Sequence, residues 1–246
     1  MKRLIHSSCG FPAVGAVFTY QLCQVYGDKI LTRVFKRKMS QPWMKYKEIG
    51  IIQEILKNLQ PEKCLEWGAG YSTLYFPRFL NKNARWVCLE HDKDWIRKIE
   101  KKTKQNPNVE VFYIPPDHFP WTDEYKDGAY SDLSSYVEFP NSLEDFDFIL
   151  IDGRARKECL IKAYQLLRGR GIVVLHDANR KYYHGPFELY EYRALFEDHR
   201  KFDARCEYEG GLWVGSKDTD LGFVLDVDKH KKVWRIYEKI GTALRC

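Results

Sequence analysis

Residues able to do chemistry in this chain cluster where apolar runs end. In EWGAGYST, residues 66–73, Glu66 precedes Gly68 and Gly70. Glycines in a turn leaving a strand let backbone approach a ligand closely, and Ser72 or Thr73 just beyond them suits the cap of a helix whose N-terminus favours an anion. A nucleotide-type ligand is implied. Glu90 closes a second apolar run 20 residues past Gly70, the place from which an acid reaches ribose hydroxyls. Asp152, His176 and Asp177 close two later runs, with Arg154, Arg156 and Arg180 beside them. Guanidinium pairs with carboxylate through two parallel hydrogen bonds, so these arginines suit an acidic ligand.

Those positions need elements to carry them, and the runs supply strands: KCLEW (63–67), RWVCLEH (85–91), EVFYIP (110–115), FDFILID (146–152) and GIVVLHD (171–177). Helical patterns alternate with them at 47–59, 72–80, 92–104 and 155–168; in the last, Cys159, Leu160, Ala163, Leu166 and Leu167 form one apolar stripe. Alternation of this kind predicts a doubly wound α/β fold, Rossmann-like, with ligands outside the carboxyl ends of the strands, where Glu66, Glu90, Asp152 and Asp177 would share one crevice. ELYEYRALFED (188–198) reads as a further helix, and 204–217 as two strands around Gly210 and Gly211. The expected sheet has seven strands, mostly parallel, with a C-terminal antiparallel hairpin. Residues 118–145 are aromatic, acidic and without helical period, which predicts an ordered wall or lid over the crevice.

Composition narrows the class. The 246 residues are 44% hydrophobic and 30% charged, with a net charge of +6 spread over interleaved signs, so a dedicated nucleic-acid surface is not expected. The mean hydropathy of −0.51 and the lack of an apolar run near the roughly 20 residues needed for a span argue against a membrane-spanning chain. Seven cysteines without a CxxC encode neither a disulfide framework nor a structural zinc, and point to a reducing, cytoplasmic setting. The apolar start and the run Lys36, Arg37, Lys38 leave room for contact with a membrane surface. Three segments are expected: an N-terminal helical arm (1–44), the α/β domain (45–218) and a C-terminal helical extension (219–246).

The order E-x-G-x-G, with Thr73 where a dinucleotide fold places a third small residue, resembles motif I of class I S-adenosylmethionine-dependent methyltransferases. Carried over, Glu66, Gly68, Gly70 and Ser72 hold the methionine part of S-adenosylmethionine, Glu90 the ribose, and Asp152 borders the methyl. LEHDKDWI, DFILIDGRARKECLIKA, VVLHDANRKYY and GGLW are similar to segments of plant glucuronoxylan O-methyltransferases and their microbial relatives, implying a sugar or uronic-acid hydroxyl as acceptor. Methyl transfer to a hydroxyl needs a proton acceptor, and Asp152 and His176, with Asp177 behind it, stand at suitable strand ends. Asp152, Asp177 and Asn179 also resemble the magnesium ligands of catechol-type O-methyltransferases, although Ala178 separates the acid from the amide. The reading is therefore an O-methyltransferase acting on a small-molecule or saccharide acceptor; a non-catalytic Rossmann-like binding protein and a nicotinamide-dependent oxidoreductase are the alternatives.

Overall fold

A computed structural model describes residues 14–23, 41–125, 127–143, 145–198 and 210–243. After helix α1 (14–23) the order is α2 (Tyr46–Leu59), β1 (Lys63–Trp67), α3 (Tyr71–Tyr75), β2 (Arg85–Glu90), α4 (Lys93–Thr103) and β3 (Val109–Tyr113). Then follow α5 (Tyr130–Glu138), β4 (Phe146–Ile151), α6 (Arg156–Leu166), β5 (Leu167–His176), β6 (Tyr192–Phe196), β7 (Leu212–Ser216) and α7 (Val227–Ala243). The seven strands lie in the order β3-β2-β1-β4-β5-β7-β6, and the pairs from β3 through β5 are parallel. Strand β7 runs antiparallel to both β5 and β6.

Both faces of the sheet are covered, so its strands are apolar on alternate residues in both directions. Leu65, Trp67, Ile149 and Ile151 face α5 and α6, where Tyr136, Leu160 and Ala163 meet them. Cys64, Trp86, Phe148 and Leu150 face the other way, against Ile52 and Leu56 of α2, Ile99 of α4 and Trp234 of α7. Crossovers leave β1 toward β2 on one side while β4 occupies the other, so the exits of β1 and β4 flank the switch point of the sheet.

Three local expectations change. Residues 192–196 are strand, not helix: Ala194 and Phe196 are buried while Arg193 is exposed, a period of two fixed by pairing with β7. The partner of Leu212–Ser216 is therefore β6, and the first strand expected around Gly210 and Gly211 lies outside the described residues. Within 118–145 sits helix α5, whose Leu133, Tyr136 and Val137 are buried at helical spacing although Ser and Asp are poor helix formers. The run Lys36, Arg37, Lys38 also lies outside the described residues. Among the described residues no helix is long and apolar enough to cross a membrane.

Candidate functional site

Glu66 ends up wholly buried beneath the glycine turn. Ser72 donates to its Oε1, while Thr73 Oγ1 at 2.8 Å and Trp86 Nε1 at 2.7 Å donate to Oε2. Burial pushes its pKa up to about 7 against the pull of those hydrogen bonds. Glu66 and Ser72 thus brace the turn from below instead of lining open space. Thr73 Oγ1 also accepts from the Gly70 amide at 2.9 Å, tying α3 to the turn. Gly68 has φ +100°, and a Cβ there would lie 2.5 Å from the Gly153 backbone, so the turns leaving β1 and β4 touch directly.

Glu90, at the end of β2, accepts the His91 and Asp92 amides through Oε1, each at 2.8 Å. Its Oε2 accepts no hydrogen bond among the described residues, and the residue is 4% exposed. A carboxylate oxygen lacking a donor fits a ribose diol. Beyond it His91 packs against Trp121, ahead of α5, and against Tyr136 of α5.

Asp152, just past β4, sets its Oδ1 2.8 Å from His176 Nδ1 and 3.4 Å from the Arg156 guanidinium. Its Oδ2 has no hydrogen bond among the described residues, and the side chain is 20% exposed. The other nitrogen of His176 faces Glu48 of α2 at 3.4 Å. Burial works against the charged ring, but Asp152 and Glu48 outweigh it and raise the His176 pKa well above its ordinary value, holding an imidazolium. A ring already carrying two protons is a poor proton acceptor, whereas Asp152 Oδ2 has no hydrogen bond among the described residues.

Arg156 is buried among these groups and donates to the carbonyls of Gly153 at 2.9 Å and His176 at 2.8 Å, and to Asp177 at 3.1 Å. Asp177, in the left-handed region at φ 56°, also accepts the Gly210 amide at 2.7 Å. Burial opposes its ionisation, yet His176 and Arg156 hold its carboxyl far below the usual range. The amide of Asn179 turns away, bonding the backbone of Asp198 in both directions at 3.1 Å. Asp152, Asp177 and Asn179 consequently do not fit magnesium: a guanidinium stands between the two acids, and the amide oxygen already accepts a backbone donor. Among the described residues no three His, Cys, Asp or Glu side chains gather as a metal site.

The remaining arginines differ from Arg156. Arg154 has a 42% exposed side chain, and Arg154 and Arg180 each approach Asp127 at 3.9 Å. Asp127 is buried, and its Oδ1 has no hydrogen-bond partner among the described residues. Tyr125 stacks on Tyr182 at 3.9 Å beside them. Glu48, Asp127 and Asp198, the last held by Lys45 and Lys47, belong to this network without any sequence motif marking them. The one local signal is Glu48 at the third position of α2, where its carboxylate accepts the Lys45 amide at 2.7 Å.

No protein-family model matches the chain, and no curated protein matches it. Among solved structures it is similar to an O-methyltransferase from Bacillus cereus in complex with SAH, at 18% identity and a TM-score of 0.52, over 82% of this chain and 91% of that one. It is also similar to the O-methyltransferase TomG from Streptomyces achromogenes, involved in tomaymycin synthesis and solved with SAM, at 14% identity and a TM-score of 0.51, over 82% and 90%. At such identities the similarity is one of fold, and the fold is the seven-stranded Rossmann-like architecture of those O-methyltransferases.

Proposed function

We propose that this chain is an S-adenosylmethionine-dependent O-methyltransferase whose acceptor is a hydroxyl of a sugar, a uronic acid or another small polar molecule. The fold shared with two O-methyltransferases solved with SAH or SAM supports the cofactor class. One observation carries the reading: Asp152 Oδ2, unpartnered and partly exposed, follows β4 beside the Gly68–Gly153 contact, so a carboxylate oxygen borders the turn that would cradle the cofactor.

When bound, S-adenosylmethionine supplies an electrophilic methyl on a sulfonium. Glu90 Oε2 would accept from the ribose of that cofactor, and the glycine turn, braced by Glu66, would admit its amino-acid part. Asp152 Oδ2 accepts the hydrogen bond of the acceptor hydroxyl and takes its proton as the oxygen attacks. His176 and Arg156 fix the carboxylate through Oδ1. Arg154 and Arg180, flanking Asp127, suit an acceptor that carries a carboxylate as well as hydroxyls.

Calorimetric titration with S-adenosylhomocysteine and with NAD, followed by transfer from isotopically labelled S-adenosylmethionine to a panel of sugars and uronic acids, tests this. Binding of S-adenosylhomocysteine alone, and an Asp152→Asn variant that keeps that affinity but loses transfer by about 100-fold or more, are expected. Binding of NAD in its place overturns the cofactor, and an active Asp152→Asn overturns the proton acceptor.

A further inference from the structure

Outside the crevice, one patch combines features that rarely meet on a solvated surface. Trp43, ahead of α2, is 77% exposed, yet it is not isolated. Its ring lies 5.3 Å from Trp95 of α4 and 6.1 Å from Tyr71 of α3, centroid to centroid. Trp95, Lys98 and Lys102 follow at i, i+3 and i+7 along α4, one stripe of the helix. Lys98 Nζ stands 5.7 Å from the centre of the Trp95 ring and Lys102 Nζ 4.4 Å from that of Tyr71. Among the described residues none of Lys93, Lys98, Lys101 and Lys102 has an acidic partner, whereas their neighbour Arg97 pairs with Asp94 at 3.5 Å.

A solvated helix face usually interleaves and pairs its charges; this one sets Lys98 and Lys102, without acidic partners among the described residues, beside an exposed indole. Indole and phenol rings with an apolar body and a polar edge settle at the headgroup level of a bilayer, and lysines beside them meet the negative potential of anionic lipid. A nucleic-acid strand would need open ring faces on which to stack its bases. Here lysines cover faces of Trp95 and Tyr71, and the rings tilt against each other by 37° to 75°, so no flat platform is offered.

We infer that the patch formed by Trp43, Tyr71, Trp95, Lys98 and Lys102 docks on an anionic bilayer surface, Trp43 entering the headgroup layer. The Trp95 indole also donates to the Ala69 carbonyl at 2.6 Å, so the docked face adjoins the glycine turn.

Co-sedimentation of the full chain with phosphatidylcholine vesicles, with and without roughly one-third phosphatidylglycerol, tests the inference at low and high salt. Wild type is expected to sediment only with the anionic vesicles and to be released by salt. Trp43→Ala is expected to weaken partitioning by about fivefold or more, and Lys98→Glu with Lys102→Glu by about tenfold or more, with thermal transitions kept near wild type. A wild type that stays in solution, or that binds single-stranded oligonucleotide in preference to vesicles, overturns the inference. So does vesicle binding that both folded variants retain at wild-type strength, which would assign the contact to another part of the chain.

Discussion

At the β1–β2 end of the crevice Glu66 is taken out of water by three neutral donors, Ser72, Thr73 and Trp86; at the β4–β5–β7 end, Asp152, Asp177 and Asp198 are taken out of water by His176, Arg156, Lys45 and Lys47. Burial outweighs the neutral donors and pushes the Glu66 pKa up to about 7, whereas the cations His176 and Arg156 keep Asp177 ionised and the acids Asp152 and Glu48 keep His176 charged. The first end is a stiff cradle whose charge depends on pH. The second is an assembly of mutually dependent charges, in which loss of one member strands the others.

The largest effect expected from breaking this contrast comes from Arg156→Met. It removes the cation between Asp152 and Asp177 and abandons the carbonyls of Gly153 and His176, and should cost about 3–5 kcal/mol in denaturant-induced unfolding. A loss under about 1 kcal/mol would mean that the network is not interdependent.

Glu66→Gln sharpens the contrast through pH. The folded pKa of Glu66 is raised to about 7, so its contribution to stability is full below the unfolded value near 4.3 and is lost as pH climbs through the folded value. Stability of wild type relative to Glu66→Gln should therefore fall by about 3 kcal/mol between roughly pH 4 and pH 8. His176, also raised, contributes in full only below the unfolded value near 6.5 and loses that contribution progressively as pH rises above it, so a His176→Gln variant should converge on wild type in that higher window. Unfolding curves across pH check both signs.

Glu90→Gln keeps an acceptor for the His91 and Asp92 amides and should leave stability nearly unchanged while weakening S-adenosylhomocysteine binding by about 2 kcal/mol, measured by calorimetry. Smallest of all, Arg154→Gln should change stability by under about 0.5 kcal/mol, although it lies two residues from Arg156. An equal cost for the two arginines would erase the distinction between a buried clasp and an exposed flank.

The two ends were unequally legible. The glycine turn, Glu66 and Glu90 are local: strand, turn and helix fall within 28 residues, and β1 and the end of β2 lie where apolar runs predict them. What Glu66 does once buried was not legible, because Trp86 reaches it from the next strand. At the other end Glu48 meets His176 across 128 residues, and Asp198 meets Lys47 across 151, separations over which no spacing rule operates. Strand β6 was misread for a related reason. Leu189, Tyr192, Leu195 and Phe196 satisfy a helical period as well as a strand, and pairing with Leu212–Ser216 decides between them. Helix α5 was hidden by its serines and aspartate, and its burial rests on contacts with the core rather than on propensity.

That late-arriving partner has a consequence for biosynthesis. Among the described residues β6 has only β7 as a neighbour in the sheet, yet β7 follows it in the chain, with residues 197–211 between. During translation at about 5–20 residues per second, β6 waits roughly one to four seconds before β7 has been made. The same arrival brings the Gly210 amide to Asp177. The nascent chain can therefore assemble the glycine cradle early, while the charged half of the crevice closes only once the residues around Gly210 and β7 have been made.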